Sequence, residues 1–326
     1  MPNTQTTLNT ASTTFLNKDY REKKTLAWAR TKFVHAKFGQ KRPIPEHNGK
    51  RVEFRRWNTF DPNEAMTPLT EGVTPTGLAL SQTNVEAEVA QYGAYVEISD
   101  MLKKTNYAND LKEVPALLGE LMGTVLEWIT RDAMNAGTNV QFANGKTERG
   151  ALTADDKLTV DEIRKAVRTL KKAKARKFNG SETGGKPGSR KPHFICICSP
   201  DAVYDLQSDP LWQDVSKYSN AEQIYDGELG RLFGVVFVES TEAKVFTGEG
   251  SGSVDVHSTL MFGADAYGTI DIGGSGAVQS ILKGLGSAGA ADPLDQRATM
   301  GAKIKAYTAK ILNELWIVRI EHGVTA

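Results

Sequence analysis

Residues 51–100 constrain the fold more than any other part of this sequence, because they predict a strand, a long loop and a second extended segment. Residues 51–57 are short, charged and rich in β-forming side chains, and residues 81–100 are extended again. The loop between them, residues 58–80, contains three prolines and two glycines. Hairpin loops usually have about two to five residues, and structureless loops longer than about a dozen are uncommon in compact domains. We therefore predict that this loop projects from the body and packs on something else, which favours partner binding over catalysis.

The second extended segment changes its apolar phase. Up to position 89, the apolar residues occupy odd positions: Val85, Ala87 and Val89. From position 90 they occupy even positions: Ala90, Tyr92, Ala94, Val96 and Ile98. Side chains of a strand alternate between its two faces, so a phase change marks a new buried face or an inserted residue. We predict a kink within residues 89–93, where the projecting hairpin joins a sheet of the body.

Three short sequence segments resemble segments of the major capsid proteins of tailed bacteriophages. They are PLTEGVTP at residues 68–75, QYGAYVEISD at residues 91–100 and TRDAMNAGTNV at residues 130–140. The similar branch is typified by the coat protein of enterobacterial N-four-type podophages. The resemblance runs in the same order from about residue 26 to about residue 323.

This resemblance implies an α+β protein with the Hong Kong phage-type (Johnson) capsid fold, in which residues 58–80 are the E-loop. The implied parts are an N-terminal arm in residues 1–50, the E-loop hairpin and the first strands of a peripheral domain in residues 51–100, the peripheral domain with a long spine helix in residues 101–154, an inserted axial domain in residues 155–265, and a return to the peripheral domain in residues 266–326.

The resemblance also implies a function. It implies a major capsid protein of a tailed double-stranded DNA bacteriophage, which is not an enzyme, has no cofactor or metal, and assembles into hexamers and pentamers of an icosahedral shell around the genome. The implied partners are further copies of the chain, portal and scaffolding proteins, a decoration protein and packaged DNA. The implied location is the virion, after synthesis in the bacterial cytoplasm. The expected contact residues between subunits are Leu69, Glu71, Val73 and Pro75 in the E-loop and Trp28, Arg30 and Phe33 in the arm.

The net charge of +1 conceals two basic segments on an acidic body. Residues 1–57 contain 13 Lys and Arg against 4 Asp and Glu, and residues 164–191 contain 11 against 1. Such segments suit contact with nucleic acid or with acidic neighbouring copies. The candidate residues in the second segment are Arg164, Arg168, Lys171, Lys172 and Arg176. Because no aromatic side chains for base stacking accompany them, contact with neighbours is favoured. The alternative is a nucleic-acid-binding protein that uses both basic segments.

Apolar periodicity predicts two long helices and several strands in the rest of the chain. The helices are residues 110–136, whose regular part should begin near Val114, and residues 159–178, which Thr159 can cap. Residues 193–199, 232–239 and 259–262 predict buried strands, and a short helix should follow Pro200 as far as residue 206. We expect the strands within residues 298–320 to rejoin the sheet formed by residues 91–100.

No motif in the sequence indicates catalysis or a metal site. Cys196 and Cys198 lie on one face of a predicted strand without the further ligands that zinc needs, which favours core cysteines. Residues 284–289 match the GxGxxG pattern of dinucleotide-binding proteins, but Pro293 blocks the helix that this pattern requires. The sequence has no run of about 18 apolar residues and no basic start followed by an apolar core, so we expect neither a membrane helix nor a signal peptide.

The absence of lysine from residues 51–102 predicts how the shell is held together. In some shells of this fold, a lysine of the E-loop forms an isopeptide bond with an asparagine. Because the E-loop here has no amine, we predict a shell without such cross-links. The capsid protein of mature particles should run as a monomer on a denaturing gel. A ladder of covalent oligomers would contradict this prediction.

Overall fold

The structure is a computed structural model that describes residues 34–45, 47–58, 60–65, 68, 71–74, 77–105, 114–178, 192–212, 228–271, 278–287 and 292–325. Two β-sheets form the body, and a two-stranded hairpin extends from it. Within these residues, none of the helices combines the length and the apolar character needed to cross a membrane.

The described residues form fourteen strands and five α-helices. The strands are β1 (Gln40–Lys41), β2 (Arg51–Trp57), β3 (Gln82–Glu88), β4 (Ala90–Ser99), β5 (Val140–Phe142), β6 (Phe194–Cys198), β7 (Glu228–Leu232), β8 (Val235–Glu239), β9 (Val245–Phe246), β10 (Val256–Phe262), β11 (Tyr267–Asp271), β12 (Val278–Lys283), β13 (Arg297–Ile311) and β14 (Ile317–His322). The helices are α1 (Pro62–Ala65), α2 (Asp100–Thr105), α3 (Val114–Asn135), α4 (Val160–Lys172) and α5 (Pro200–Gln207).

Strand β13 is the centre of a five-stranded sheet. Along one edge it pairs antiparallel with β4, and along the other edge it pairs antiparallel with β12 and then with β11. Strand β1 adds in parallel to the far side of β11. Alternate residues of β13 face the long helix α3, where Met300, Ala302 and Ile304 pack with Leu118 and Leu126.

The second sheet has seven strands in the order β5–β14–β10–β6–β8–β7, with β9 beside β10. All residues of β6 and β10 are buried, because helices α4 and α5 cover one face and a cluster that includes Phe38 and Met134 covers the other. Cys196 and Cys198 face α4 and α5, whereas Ile195 and Ile197 face the opposite cluster, as predicted. Burial raises the pKa of the Cys196 thiol.

The predicted hairpin of residues 51–100 and its kink are confirmed. Strands β2 and β3 pair antiparallel along their full length, whereas β4 pairs with β13 in the body. The chain passes from the hairpin to the body sheet at Val89. This buried residue lies between β3 and β4 in the sequence. Ala87 and Val89 pack with Phe54 of the hairpin, whereas Ala94 packs with the cluster between α3 and β13. The change of apolar phase therefore marks the transfer from one packing surface to another.

Helix α3 confirms the long helix predicted near Val114. It has 22 residues, which corresponds to about 33 Å at 1.5 Å per residue. Residues 110–113, which the prediction included, lie outside the described residues. The buried side chains of α3 include Leu118, Met122, Leu126 and Met134.

The helix predicted for residues 159–178 is too long, because α4 ends at Lys172. Lys174 has a positive φ of 51°, the left-handed conformation that commonly ends a helix. Phe178 then forms an isolated bridge with His193. Its ring packs edge-on against Phe38 and Phe262, at centroid distances of 6.2 and 6.1 Å. The chain therefore leaves the helix after Lys172, and the Phe178 ring is buried in the core where further helical turns were predicted.

Both predicted helix starts are confirmed. The Thr159 side chain accepts a hydrogen bond from the backbone N–H of Glu162 at 3.4 Å. Ser199 caps α5 by accepting from the backbone N–H of Ala202 at 3.3 Å, and Pro200 occupies the first turn. Such caps satisfy N–H groups that have no partner within the helix.

Residues 232–239 do not form the single strand that was predicted. Phe233 and Gly234 have positive φ values of 50° and 80° and connect β7 to β8. Positive φ at both central residues is the pattern of a type I′ hairpin turn. Because Phe233 is apolar, this turn lies within an apolar run of the sequence and was not predicted.

The expectation that residues 298–320 all rejoin the sheet of residues 91–100 is confirmed for β13 and wrong for β14. Strand β14 pairs with β10 and β5 in the seven-stranded sheet. There Val318 and Ile320 pack in the cluster beneath α4 and α5. An alternating pattern predicts a strand with a buried face, but it does not identify the sheet that buries it.

His322, at the end of β14, is fully buried and uses both ring nitrogens in the neutral form. Its Nδ1–H donates to the Gly323 carbonyl at 2.8 Å, and its Nε2 accepts from the Thr259 hydroxyl at 2.9 Å. Burial lowers the pKa of His322 to about 4. The ring of His257 lies 6.2 Å away, and burial lowers its pKa as well.

We predict that acid destabilises the protein through His322. An unfolded histidine titrates near pH 6.5, so between that pH and about pH 4 the unfolded chain binds a proton that the folded protein excludes. The free energy of unfolding should fall by about 2 kcal/mol between about pH 7.5 and about pH 5. Urea unfolding at both pH values measures this change in the free energy of unfolding.

His322→Gln should flatten the dependence of the free energy of unfolding on pH. His47→Asn, at an exposed histidine, should not flatten it. Equal pH dependence in the unmodified chain and His322→Gln would contradict the prediction.

Candidate assembly surfaces

The E-loop offers acidic and apolar side chains and no basic ones. Residues 58–80 contain Asp61, Glu64 and Glu71 but no Lys or Arg. Of the predicted contact residues, Glu71 and Val73 are exposed, and Leu69 and Pro75 lie outside the described residues. Other exposed apolar side chains of the loop are Phe60, Leu78 and Leu80. Several exposed apolar side chains within one loop suit an interaction site.

The E-loop extends from a firmly held base. Phe54 of β2 is buried and packs on Gly268 of β11, where a Cβ atom would lie 2.9 Å from the Phe54 ring. The guanidinium of Arg42 lies 5.4 Å from the centre of the same ring. Ala87 and Ile270 complete the cluster. The loop therefore leaves the body from a base that the core fixes.

A trough lies on the face of the five-stranded sheet that points away from α3. Because even-numbered residues of β13 face α3, Gly301 and Lys303 face the trough. Gly301 and Gly93 line its floor, Tyr95 and Lys283 stand beside it, and its volume is about 490 Å³. Tyr95 is 71% exposed. Within the described part of the chain, neither lysine has an ion-pair partner, so the trough is basic.

One edge of α3 is apolar and exposed. Leu117 and Leu121 belong to the predicted apolar stripe, yet they are 62% and 46% exposed. Farther along the helix, Trp128 donates from its indole N–H to a Glu242 carboxylate oxygen at 2.6 Å. The Arg131 guanidinium lies 5.2 Å from the centre of its ring. The Trp128 end is therefore tied to the body, whereas the two leucines face solvent.

The five predicted basic residues of the second segment all lie exposed on α4 or just after it. Arg164 pairs with Asp161 and Arg176 pairs with Asp265, each at 3.0 Å. Across the described ranges, Arg168, Lys171 and Lys172 have no ion-pair partner. Cations near the C-terminus of a helix are favoured by its dipole. Three unpaired cations on adjacent turns also form a surface that suits phosphate or carboxylate groups.

The contact residues predicted in the expected N-terminal arm, Trp28, Arg30 and Phe33, lie outside the described residues, which begin at residue 34. The base of the arm is held by Glu127 of α3, whose side chain is completely buried. Its carboxylate accepts hydrogen bonds from the backbone N–H groups of Val34 and His35 at 3.0 and 2.7 Å. The Nδ1 atom of His35 lies 2.6 Å from the same oxygen.

Glu127 is not among the contact residues predicted from the sequence. The available signal was a carboxylate in the middle of an apolar stretch, between Leu126 and Trp128. The pattern of the helix does not identify its partner, because the donors come from residues more than ninety positions earlier.

Two buried tyrosines lie near this site, but only Tyr267 bonds the arm base, whereas Tyr307 bonds helix α3. The Tyr267 hydroxyl donates to the His35 carbonyl, and the Tyr307 hydroxyl lies 2.8 Å from the Thr130 hydroxyl. Burial raises the pKa of both Tyr267 and Tyr307. Both hydroxyls therefore stay protonated near neutral pH and can act as donors.

A serine, a histidine and an aspartate meet at the start of α5 without the geometry of a catalytic triad. Ser199 Oγ lies 3.0 Å from His257 Nδ1, and Asp201 approaches the same nitrogen at 4.0 Å. A triad needs the serine and the carboxylate on opposite ring nitrogens. Ser199 here serves as a helix cap. In the portion of the chain that the structure describes, no three His, Cys, Asp or Glu side chains group together to hold a metal.

The sequence matches a model of a known protein family. The family is described as phage capsid protein, and its model matches residues 130–292, half of the chain. The major capsid protein of Escherichia phage T5 is 38% identical over 56 residues, which are 17% of this chain. The match spans 12% of that relative's own length.

Solved capsid structures share the fold over most of the chain. The capsid of Ralstonia phage GP4 is 13% identical, covers 90% of this chain and 92% of its own, and has a TM-score of 0.67. The capsid of cyanophage Pam1 is 15% identical, covers 86% of each chain, and has a TM-score of 0.65. At these identities the similarity is one of fold.

We predict that the double substitution Leu117→Gln and Leu121→Gln weakens association between copies and hardly changes the stability of one copy. Because both side chains are exposed, the free energy of unfolding should change by less than about 0.5 kcal/mol. Leu118→Ala, on the buried face of the same helix, should cost about 2–5 kcal/mol. Thermal unfolding of dilute protein and sedimentation at high concentration measure the two effects. Unchanged association of the double variant would rule out an interface at this edge.

Proposed function

Because the chain belongs to the phage capsid protein family and has the Hong Kong phage-type (Johnson) capsid fold, we propose that it is the major capsid subunit of a tailed double-stranded DNA bacteriophage. Its copies would assemble into the hexamers and pentamers of an icosahedral shell that encloses the genome. The observation that carries this proposal is the family match over residues 130–292. The protein would act by assembly, without catalysis or a cofactor, and its location would be the virion.

The E-loop would lie over a neighbouring subunit, with Leu69, Glu71, Val73 and Pro75 at the contact. Its three carboxylates and its lack of cations favour a basic receiving surface. The trough on the five-stranded sheet has this character, because it combines two lysines with an exposed aromatic ring. Opposite charges across an interface contribute mainly to specificity and to the rate of association.

The arm, with Trp28, Arg30 and Phe33, would bind a neighbour from the inner side of the shell. The axial domain, residues 155–265, would meet its symmetry copies at the centre of each capsomer. Outside residues 1–57 and 164–191 the chain holds 34 acidic and 16 basic residues. This excess of acid on the rest of the chain supports contact between the basic segments and neighbouring copies.

The unpaired cations of α4 also support a second role, contact with the packaged genome. Arg168, Lys171 and Lys172 could neutralise phosphates without reading sequence, together with Arg164 and Arg176 if these exchange their partners. Such contacts depend strongly on salt. Portal, scaffolding and decoration proteins are the remaining proposed partners, and synthesis in the bacterial cytoplasm is proposed with them.

The proposed mechanism depends on repetition. Each contact between two copies is modest, but closed symmetry makes every copy contribute the same contacts many times. Once one contact forms, the next is made at a high effective concentration, so weak interfaces together give a stable shell. Exposed apolar groups such as Leu80 can therefore be tolerated in the single chain.

Deleting residues 63–76 tests the E-loop within this mechanism. We expect a folded protein that forms no closed shells, because the pairing of β2 with β3 and the packing of Phe54 are kept while the contact surface is removed. Electron microscopy and sedimentation of the deletion and of the full chain at moderate salt provide the comparison. Normal shells from the deletion would refute the role of the E-loop.

The same experiment tests the proposed function itself. The full chain should form rings, tubes or closed shells with fivefold and sixfold units. A full chain that stays monomeric, even with a scaffold or a crowding agent, would contradict a capsid subunit. If that monomer bound DNA with a steep salt dependence, the nucleic-acid-binding alternative would be favoured.

A further inference from the structure

We propose that Glu127 is the positioning residue of the N-terminal arm. Its buried carboxylate holds residues 34–36 against the long helix α3 and thereby sets the direction in which the arm leaves the body. The consequence for assembly rests on the proposed function, whereas the anchoring can be tested in a single copy.

The location of Glu127 needs an explanation. Its side chain has no exposure to solvent, although it lies on a helix whose other buried side chains are mostly apolar. An ionised carboxylate is costly to bury unless several donors compensate it. Replacing such a group by an apolar side chain of similar size often stabilises a protein. A gain in helix stability therefore does not account for a carboxylate at this position.

The donors identify what the carboxylate does. Three consecutive backbone N–H groups converge on it: Val34 at 3.0 Å and His35 at 2.7 Å to Oε1, and Ala36 at 3.4 Å to Oε2. The His35 ring adds a fourth contact at 2.6 Å. Successive N–H groups that point to one place form a concave site for an anion. Here helix α3 supplies the anion, the Glu127 carboxylate, and this carboxylate binds the backbone of the arm base.

The opposite side of the arm base is also held. Tyr267 of β11 donates its hydroxyl to the His35 carbonyl. Phe38, immediately after this turn, is buried in the cluster that includes Tyr267. The segment is therefore clamped between α3 and β11, and its last described residue toward the N-terminus, Val34, has a fixed position on Glu127.

The two halves of this clamp depend on each other. If the arm base detached, the Glu127 carboxylate would lose all the donors named above. If the carboxylate were absent, the buried N–H of His35 and the half-buried N–H groups of Val34 and Ala36 would lose their acceptor. Leaving either side unpaired costs more than the hydrogen bonds contribute. Docking of the arm base should therefore be all-or-none, and Glu127 decides where it occurs.

The test is amide exchange and limited trypsin digestion of the unassembled full-length chain carrying Glu127→Gln. The amide keeps the shape of the side chain but removes the charge and one acceptor. Exchange of the amides of residues 34–37 should accelerate roughly 10- to 100-fold, in line with the loss of hydrogen bonds to a charged group. Cleavage after Lys37, identified by a new N-terminus at Phe38, should accelerate in parallel.

The matched control is Thr130→Val on the same helix. Thr130 contacts Tyr307 and has no hydrogen bond to residues 34–36. This variant should lower the melting temperature without accelerating exchange or cleavage at the arm base. Equal acceleration in Thr130→Val would reduce the effect to general destabilisation and overturn the proposal, as would unchanged exchange in Glu127→Gln.

Tyr267→Phe is a second variant that does not alter α3. It removes the hydroxyl that holds the His35 carbonyl, so exchange at residues 34–37 should accelerate by a smaller factor. If Glu127→Gln fails to fold, this variant decides: faster exchange supports the clamp and unchanged exchange overturns it. Because these measurements use single copies, they stand apart from the shell experiment, in which Glu127→Gln should yield misassembled particles.

Discussion

An antiparallel ribbon that belongs to both sheets holds the body together. Strand β10 continues into β11 through residues 263–266, and β13 continues into β14 through residues 312–316. Because β10 pairs with β14 and β11 pairs with β13, the same two chain segments lie side by side in both sheets. At the crossing, the Gly263 N–H donates to the Trp316 carbonyl at 3.0 Å. A Cβ on Gly263 would lie 2.3 Å from the Arg176 carbonyl oxygen, so the two sheets meet where only glycine fits.

The parts of this fold that the sequence could predict are those that a single segment determines. The shift from odd to even apolar positions around Val89 identified the transfer between sheets, because each face of a strand contacts only one surface. The Thr159 cap was predictable because a capping side chain and the backbone N–H that donates to it lie within one turn. The paired strands on either side of residues 58–80 were predictable from the composition of this region. Two of the four contact residues expected in the E-loop lie outside the described residues, so that role stays a prediction.

The parts that could not be predicted depend on contacts between distant segments. The last turns expected after Lys172 are absent because Phe178 packs against Phe38 and Phe262. No local sequence pattern indicates this packing. The position of β14 follows from the ribbon, whose partners are about sixty residues apart. Glu127 is the clearest case. A carboxylate on an apolar helix face normally argues against burial, and only the donors of the arm base make it favourable.

The base of the expected arm and the base of the hairpin both contact one strand of the ribbon, β11. Strand β1, which follows the arm base, pairs with β11, and Tyr267 at its start reaches the His35 carbonyl. Phe54 at the base of the hairpin packs on Gly268, the next residue of the same strand. The base of the arm and the base of the hairpin are therefore fixed relative to each other within a single copy. In the proposed shell, two contacts oriented by one strand would lose less entropy on assembly than two that must be ordered separately, which would favour closure with uniform geometry.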